Sequence, residues 1–326
     1  MVDNYLRTFD GMFFNIEKCE PVKHAIDQVG AVLSSVITKY GEIENEISYG
    51  TSRQDNFVDT VICLFVRKIM EQLDAINVLY SVSLFAQAQI ILRSLIENII
   101  SMEFILKEDT KKRAAAYSLE HHYQEIEIGD EYFSKNSKYR KLLLANGREE
   151  QFNNGYERYK KKKAAFERIL KSQQVFQQVD KDRKAKLKQK KRNKGKQKVY
   201  IQWYEVCSNI SNFYGLMKEV GYEQYYQSIY GGLSFETHAL NSTMDMSVNE
   251  NGISLKYIRN PVGGSSTFSL ACTFSMEALK ALYEYLNDGE EEKREFRAFF
   301  LDFQKKRDIA THNLDMIRDA QSSKGD

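Results

Sequence analysis

The chain has 326 residues and is 42% hydrophobic, which is enough for one large domain or for two domains with real cores. Two prolines and long periodic segments favour an all-helical protein. Four scattered cysteines without a CxxC pair argue against a disulfide framework or a zinc site. Charges among the first ten residues exclude an ordinary signal peptide, so we expect a cytoplasmic protein.

Helical spacing of apolar residues predicts two long helices at the start of the chain, Glu17–Ile47 and Asn56–Leu79. Gly50 ends the first of them, because glycine is common just beyond a helix. A turn near Ser81–Ser83 then folds the next helix back as an antiparallel partner. The sequence therefore predicts a bundle of antiparallel helices.

The next helix, which reaches Lys107, is apolar on all sides and is predicted to be buried. Its uncharged run 75–92 contains several polar residues, which favours a buried helix over a membrane span. Arg93 and Glu97 lie one turn apart on an isoleucine-rich face. Since a buried ion pair is costly without further polar partners, we expect such partners from elsewhere in the chain.

A more polar helix is predicted over Asp109–Phe133, with acidic residues and two histidines close together. His121 and Glu125 are one turn apart and could bind one ion. Their spacing matches no established metal motif, so we interpret this bunch as a solvated face and predict no metal site.

The composition changes abruptly between Tyr156 and Lys198, which hold 18 basic and 4 acidic residues. We predict a projecting helix up to about Val179, followed by a flexible basic loop. Such a segment attracts phosphate backbones, and an alternative is that it is only a solvated loop. The residues predicted to contact a nucleic acid are Lys184, Lys188, Lys191 and Arg192.

Apolar residues return from Val199 and form the second half of the body. Alternation over 252–257 predicts a strand that pairs with 267–271 as a short hairpin. Further helices are predicted at Ser275–Leu286 and from Glu290 to about Ala320. The predicted organisation is two helical halves, 1–155 and 199–326, separated by the basic projection at 156–198, with the hairpin near 252–271.

Two short motifs resemble those of a bacterial helical family of unknown function. The first is Leu-Arg-Ser-Leu-Ile-Glu around Arg93 and Glu97, and the second is Tyr-Gly-Gly-Leu-Ser-x3-His, which ends in Ser234 and His238. The resemblance covers roughly residues 55–245. It implies that these four residues face one another in the core, and it implies no reaction.

The last predicted helix carries Arg307, Asp308 and His312, a pattern similar to the motif of HEPN ribonucleases of toxin and phage-defence systems. That resemblance implies two protomers that bring their motifs into one cleft. The arginine would hold the scissile phosphate and the histidine would assist attack by the ribose 2′-hydroxyl. Neither a metal nor another cofactor would be required.

The leading hypothesis is therefore a HEPN-like, metal-independent endoribonuclease that acts as a homodimer in bacterial defence or in a toxin–antitoxin system. Its products would end in 2′,3′-cyclic phosphate. The expected partners are RNA, a second copy of the chain, and a defence-system or antitoxin protein. We expect no interaction with a membrane. One alternative is a non-catalytic helical scaffold. Another is a small-anion or nucleotide-binding module that uses Arg93 and His238.

Overall fold

The computed structural model describes residues 16, 19–49, 56–194, 199–236, 246–249, 252–255, 258–260, 263–286 and 289–322. The chain packs into two compact units. The first combines the residues up to Leu106 with those from Met217 onward, and the second runs from Lys107 to Leu216. The all-helical class predicted from the sequence is confirmed. Within the described part of the chain, no helix has the length and apolarity needed to span a membrane.

The first unit is built from five long helices. They are α1, Glu20–Ser48; α2, Asn56–Ser81; α3, Phe85–Lys107; α11, Gly264–Leu286; and α12, Glu290–Ser322. Their side chains alternate between buried and exposed with the helical period, so each helix turns an apolar stripe towards the core. Pro21 stands in the first turn of α1, where its missing N–H costs no hydrogen bond.

Contacts between these helices show that neighbours run antiparallel. Arg67 on α2 pairs with Glu44 near the end of α1. Gln72 on α2 donates to Ser94 on α3 over 2.7 Å, and Asn313 on α12 donates to Gln28 on α1 over 2.6 Å. The antiparallel bundle expected from the short connections is therefore present in this unit.

Three buried tyrosines tie α11 to the first two helices. The Tyr40 hydroxyl donates to the carbonyl of Ser275 over 2.7 Å, and the Tyr80 hydroxyl donates to the carbonyl of Gly264. Tyr285 on α11 donates to Asp59 on α2 over 3.1 Å. Each ring fills core volume while its hydroxyl finds a partner, which a buried tyrosine requires.

The predicted hairpin near 252–271 is not seen in that form. A short antiparallel pair joins β1, Met246–Asn249, to β2, Gly252–Leu255, whereas 267–271 lies inside α11. The prediction that 267–271 pairs as a strand is wrong, because Phe268, Ala271 and Cys272 are all buried at helical spacing. A π-helix, Tyr226–Tyr230, leads directly into the short α10, Gly231–Glu236.

The second unit is a smaller group of helices. It contains α4, Thr110–Tyr132; α5, Lys138–Ala145; α6, Glu149–Ser172; α7, Gln174–Lys194; and α8, Trp203–Cys207. A further helix, α9, Phe213–Glu219, contains the boundary with the first unit. The prediction of a flexible loop beyond Val179 is wrong, because α7 continues as a helix through most of the basic run.

Gly129 on α4 allows α6 to approach closely, since a Cβ at this position would overlap the ring of Tyr159. We expect Gly129→Ala to lower the free energy of unfolding by about 1–3 kcal/mol, the usual cost of overpacking. Urea denaturation followed by circular dichroism measures the change.

Gly41→Ala on α1 is the matched control, because its new Cβ would approach only Met70 Sδ at an ordinary 4.0 Å. This variant should gain about 0.5–1 kcal/mol from the better helix propensity of alanine. Equal denaturation midpoints for Gly129→Ala and the wild type would contradict the close contact of α4 and α6.

Candidate functional site

The inner face of α7 uses its basic residues to hold the second unit together. Arg183 is buried, donates to Glu127 on α4 over 2.9 Å, and lies 4.0 Å from the centre of the Tyr123 ring. Lys186 donates to the backbone carbonyls of Glu205 and Ser208. These cations are structural, because each is already held by acceptors within the unit.

The acidic residues of α4 supply the other half of this charge pairing. Glu125 pairs with Lys162 on α6, and Asp130 pairs with Lys163 at 2.9 Å. The solvated face predicted for this stretch is seen in part, since Glu127 and Asp130 stay more than half exposed while their carboxylates also pair with the basic helices. Lys162, and to a smaller extent His121, lower the pKa of Glu125.

The outer face of α7, formed by Lys188, Lys191 and Arg192, has a different environment. All three side chains are exposed, and they lie at i, i+3 and i+4, which places them on one side of the helix. None of them forms an ion pair with another residue that the structure describes. The fourth residue predicted to contact nucleic acid, Lys184, is exposed and pairs with Asp180 at 2.6 Å.

Arg93 and Glu97 meet as predicted, but the pair is only half-buried. Their Nε and Oε1 atoms are 3.3 Å apart, and the side chains are 25% and 43% exposed. Such a partly exposed pair contributes at most about 1 kcal/mol to stability. The prediction of a costly, fully buried ion pair is therefore wrong.

The third member of this cluster is Tyr230, the last residue of the π-helix. Its hydroxyl donates to Glu97 over 2.7 Å and accepts from Arg93 over 3.1 Å. The Arg93 guanidinium also lies 4.9 Å from the centre of the tyrosine ring. Burial, followed by the hydrogen bond to Glu97, raises the pKa of Tyr230 to about 12.

The other two residues of the predicted core cluster cannot be placed against it. Ser234 belongs to α10, but its side chain lies outside the described part of the chain, as does the whole of His238. The cluster described by the structure is therefore Arg93, Glu97 and Tyr230. The Tyr-Gly-Gly motif at 230–232 was the sequence signal for Tyr230.

Arg307 and His312 lie on opposite sides of α12. Arg307 is half-buried, and its guanidinium donates to Asp308 over 2.8 and 3.1 Å. His312 is exposed. Five residues turn through about 140° around an α-helix, so the two side chains of one copy leave the helix in different directions.

The side of α12 that carries His312 combines exposed apolar residues with the exposed charged residues Lys305 and Asp308. Leu301, Ile309 and Met316 are between 54% and 59% exposed and recur at spacings of eight and seven. These residues and His312 form what is called here the α12 outer face. Apolar residues in such an array are typical of a surface that contacts another protein.

The metal interpretation of His121 and Glu125 gains nothing from the geometry. Their Nε2 and Oε1 atoms are 3.8 Å apart, and Lys162 already occupies Glu125. Among the residues described, no group of three or more histidine, cysteine or acidic side chains could hold a metal ion.

Sequence reasoning missed a half-buried carboxylic acid, Glu103 on α3. It accepts a hydrogen bond from Tyr222 over 2.9 Å and opens onto a cleft of about 370 Å³ that Glu277 and Glu284 also line. Burial, together with repulsion from those two carboxylates, raises the pKa of Glu103 to about 8. A glutamate between Met102 and Phe104 in an apolar helix was the signal that could have revealed it.

The raised pKa makes stability depend on pH. The folded chain keeps a proton on Glu103 up to about pH 8, whereas the unfolded chain releases it near the ordinary value of 4.5. Stability attributable to this group therefore falls as pH rises from about 4.5 to 8, and it levels off above that range. Because Glu103→Gln removes the titration, its melting temperature should rise relative to the wild type between pH 5 and pH 8.5.

Asp74→Asn is the control, since Asp74 is an exposed acid on α2. Its melting temperature should follow that of the wild type at both pH values. A constant difference between Glu103→Gln and the wild type across the range would contradict the raised pKa.

Comparison with known proteins gives a family but no activity. No curated protein and no solved structure is significantly similar to the chain, so the HEPN resemblance receives no support from them. Residues 59–254, more than half of the chain, match the family of unknown function DUF5677. The match spans Arg93, Glu97 and Tyr230 as well as α7, and it confirms the predicted membership in a family of unknown function. The chain belongs to the DUF5677 family.

Proposed function

We propose that this protein binds RNA through the outer face of α7 and cleaves it without a metal, using Arg307 and His312 from two protomers. The observation that carries the proposal is the division of the basic residues on α7. Those on the inner face are held by acceptors, whereas Lys188, Lys191 and Arg192 are exposed together on the other side. Three such cations on one helical face suit consecutive phosphates.

The structural role of the inner cations strengthens this interpretation of the outer ones. Solubility alone would not require a helix that places its structural cations on one face and its exposed cations on the other. Because α7 is a helix through Lys194, the exposed cations are held at fixed spacing. Preorganised cations lose less side-chain and backbone freedom on binding than cations in a loop.

The α12 outer face supports the two-protomer part of the proposal. Arg307 and His312 of one copy leave α12 about 140° apart, so they cannot readily grip one phosphate together. A second copy packed on Leu301, Ile309 and Met316 would cover this apolar face and bring its own α12 beside the first. His312 lies within the face that would be covered, and Arg307 leaves the helix outside it. The shared site would therefore lie at the edge of the covered face, where the long arginine side chain of one copy can approach the histidine of the other.

The residue types fit cleavage by the ribose 2′-hydroxyl. The Arg307 guanidinium stays charged and can hold two phosphate oxygens. His312 can accept the proton of the 2′-hydroxyl, whose oxygen then forms a bond to phosphorus while the bond to the 5′-oxygen breaks. The 5′-oxygen takes up a proton as it leaves, from the protonated His312 or from water, so the products are a 2′,3′-cyclic phosphate and a 5′-hydroxyl. DNA lacks the attacking group and is refused. A role in bacterial defence or as a toxin belongs to the same proposal.

A second candidate is an RNA-binding protein without catalysis. The observation that favours it is the closed network of Arg93, Glu97 and Tyr230, in which the guanidinium is already bound on two sides. This cluster then locks α3 to the π-helix, and RNA binding by α7 needs no cleavage. The two experiments below separate binding from cleavage.

The first experiment removes the outer cations of α7. We expect the triple variant Lys188→Ala, Lys191→Ala, Arg192→Ala to bind single-stranded RNA of any sequence more weakly. A plot of log affinity against log salt should lose about 2 from its slope, at about 0.7 for each phosphate contact on a single strand. Fluorescence anisotropy across a salt series measures both quantities.

The matched control removes three other exposed lysines of the same unit, Lys135, Lys138 and Lys141. Net charge then falls equally, and the affinity and slope should stay near the wild-type values. Equal losses in the two triple variants would show a general charge effect and would contradict a defined α7 surface.

The second experiment tests whether the catalytic pair is shared between protomers. Arg307→Ala and His312→Ala should each lose cleavage by about 10²-fold or more, the scale expected for removing a catalytic proton-transfer group. Mixing the two inactive variants should restore about a quarter of the wild-type activity, because half of the dimers then contain one intact composite site.

Chelation with EDTA should leave the rate unchanged, and a substrate with 2′-deoxyribose at the cut should resist. Arg307→Lys should also be impaired, because an ammonium cannot grip two oxygens in one plane. Two inactive variants that stay inactive when mixed would contradict a shared site. Full cleavage by both variants alone would exclude the pair and favour the binding protein.

A further inference from the structure

A pocket of about 430 Å³ lies between α11 and α12 of the first unit, and Leu301 of the α12 outer face is one of its lining residues. Its apolar floor is formed by Met276, Phe296 and Phe300, and charged residues surround its mouth. The volume lies within the range of small-ligand sites in proteins. No motif in the sequence predicted it.

The aromatic rings of the pocket floor pack against one another and against Tyr283. Phe296 packs against Tyr283 with ring centres 4.5 Å apart, and Phe300 follows one turn later at 6.4 Å from Phe296. Both phenylalanines are half-buried, so part of each ring remains accessible. A flat apolar ligand could therefore stack there without displacing a core residue, as nucleobases do on exposed aromatic rings.

The rim has the charges expected of a site for an anionic ligand with a flat apolar part. Lys280 and Arg297 are exposed, and neither forms an ion pair with a residue in the described ranges. Glu277 is the acid on the rim, and its carboxylate can accept hydrogen bonds from an amino group. Two phosphate-binding cations around stacking rings suit a nucleotide, and the carboxylate favours a base that carries an exocyclic amine.

The pocket is aligned with Arg307 along the same helix. Phe300 and Arg307 are seven residues apart, which is two turns of α12, so both leave the helix on nearly the same side. The separation along the axis is about 10 Å. At about 3.4 Å for each stacked nucleotide, a strand covers that distance in roughly three nucleotides.

We propose that this pocket is a base-binding subsite for single-stranded RNA, in which a base with an amino group stacks on Phe296 and Phe300 a few nucleotides from the phosphate at Arg307. The subsite rests on the proposed function, because it supplies the substrate preference of that reaction. Lys280 and Arg297 bind the flanking phosphates, and Glu277 accepts from the exocyclic amine.

The experiment measures binding of fluorescein-labelled 2′-O-methyl decamers, which cannot be cleaved because the attacking hydroxyl is blocked. The decamers are oligocytidylate, oligouridylate and an abasic strand of equal length. Wild-type protein should prefer cytidylate to uridylate. Phe300→Leu keeps an apolar side chain and should weaken cytidylate binding by roughly 5- to 150-fold, the 1–3 kcal/mol of one stacked base at 1.4 kcal/mol per tenfold. Binding of the abasic strand should not change.

Charge controls come from α12 itself. Arg297→Gln should weaken all three strands, whereas Arg294→Gln, an exposed arginine outside the pocket, should weaken none. Glu277→Gln should reduce the preference for cytidylate over uridylate while leaving abasic binding unchanged. Thermal unfolding of each variant shows whether the fold is retained.

Equal weakening of the cytidylate and abasic strands by Phe300→Leu would overturn the subsite, and so would no weakening at all. Dodecanoate binding that is lost in Phe300→Leu, with RNA binding unaffected, would overturn it in favour of an acyl anion. The experiments distinguish failure of the subsite proposal from failure of the proposed reaction. Loss of cytidylate preference in Phe300→Leu combined with full cleavage by the Arg307 and His312 variants would overturn only the shared catalytic pair.

Discussion

Burial of the Arg183 guanidinium is the interaction on which the second unit depends. A cation that is 7% exposed requires a nearby anion and hydrogen-bond acceptors, and α4 supplies them through Glu127 and the Tyr123 ring. The neighbouring pairs between α4 and α6 follow the same rule at the surface. Ion pairs thus hold α4, α6 and α7 together, because the apolar stripes of these helices are narrow. In this arrangement the remaining cations of α7 face solvent.

The two faces of α7 also separate cations that hold the fold together from cations that are candidates for function. Lys186 and Lys188 are two positions apart, yet one is held by backbone carbonyls and the other faces solvent. A deletion of the whole basic run would remove both kinds and would unfold part of the unit. Substitutions confined to the outer face change the surface that contacts RNA and leave the packing intact.

In the first unit, α12 carries three different surfaces on one helix. Phe303, Ala310 and Leu314 face the core. Phe300 and Arg307 lie beside α11, where the pocket opens, and the α12 outer face carries His312. A helix of 33 residues can divide its sides in this way because α1 and α11 cover only part of its circumference. RNA binding in the pocket and association of protomers would then use adjoining sides of α12, which meet at Leu301.

The sequence by itself determined the all-helical class, the limits of α1, α2, α4 and α12 to within a few residues, and the contact of Arg93 with Glu97, because these depend on local periodicity and on spacing along one helix. It placed the start of α11 too late, at Ser275 instead of Gly264. It could not determine the α7 helix or the paired face of α4, since the partners that neutralise their charges are distant in the chain. The 267–271 segment shows the same limit, because it is part of α11, where Phe268 packs near Tyr80 of the distant α2. The pocket, the half-buried Glu103 and the Tyr230 contact depend on which helices become neighbours, and only the tertiary structure decided that.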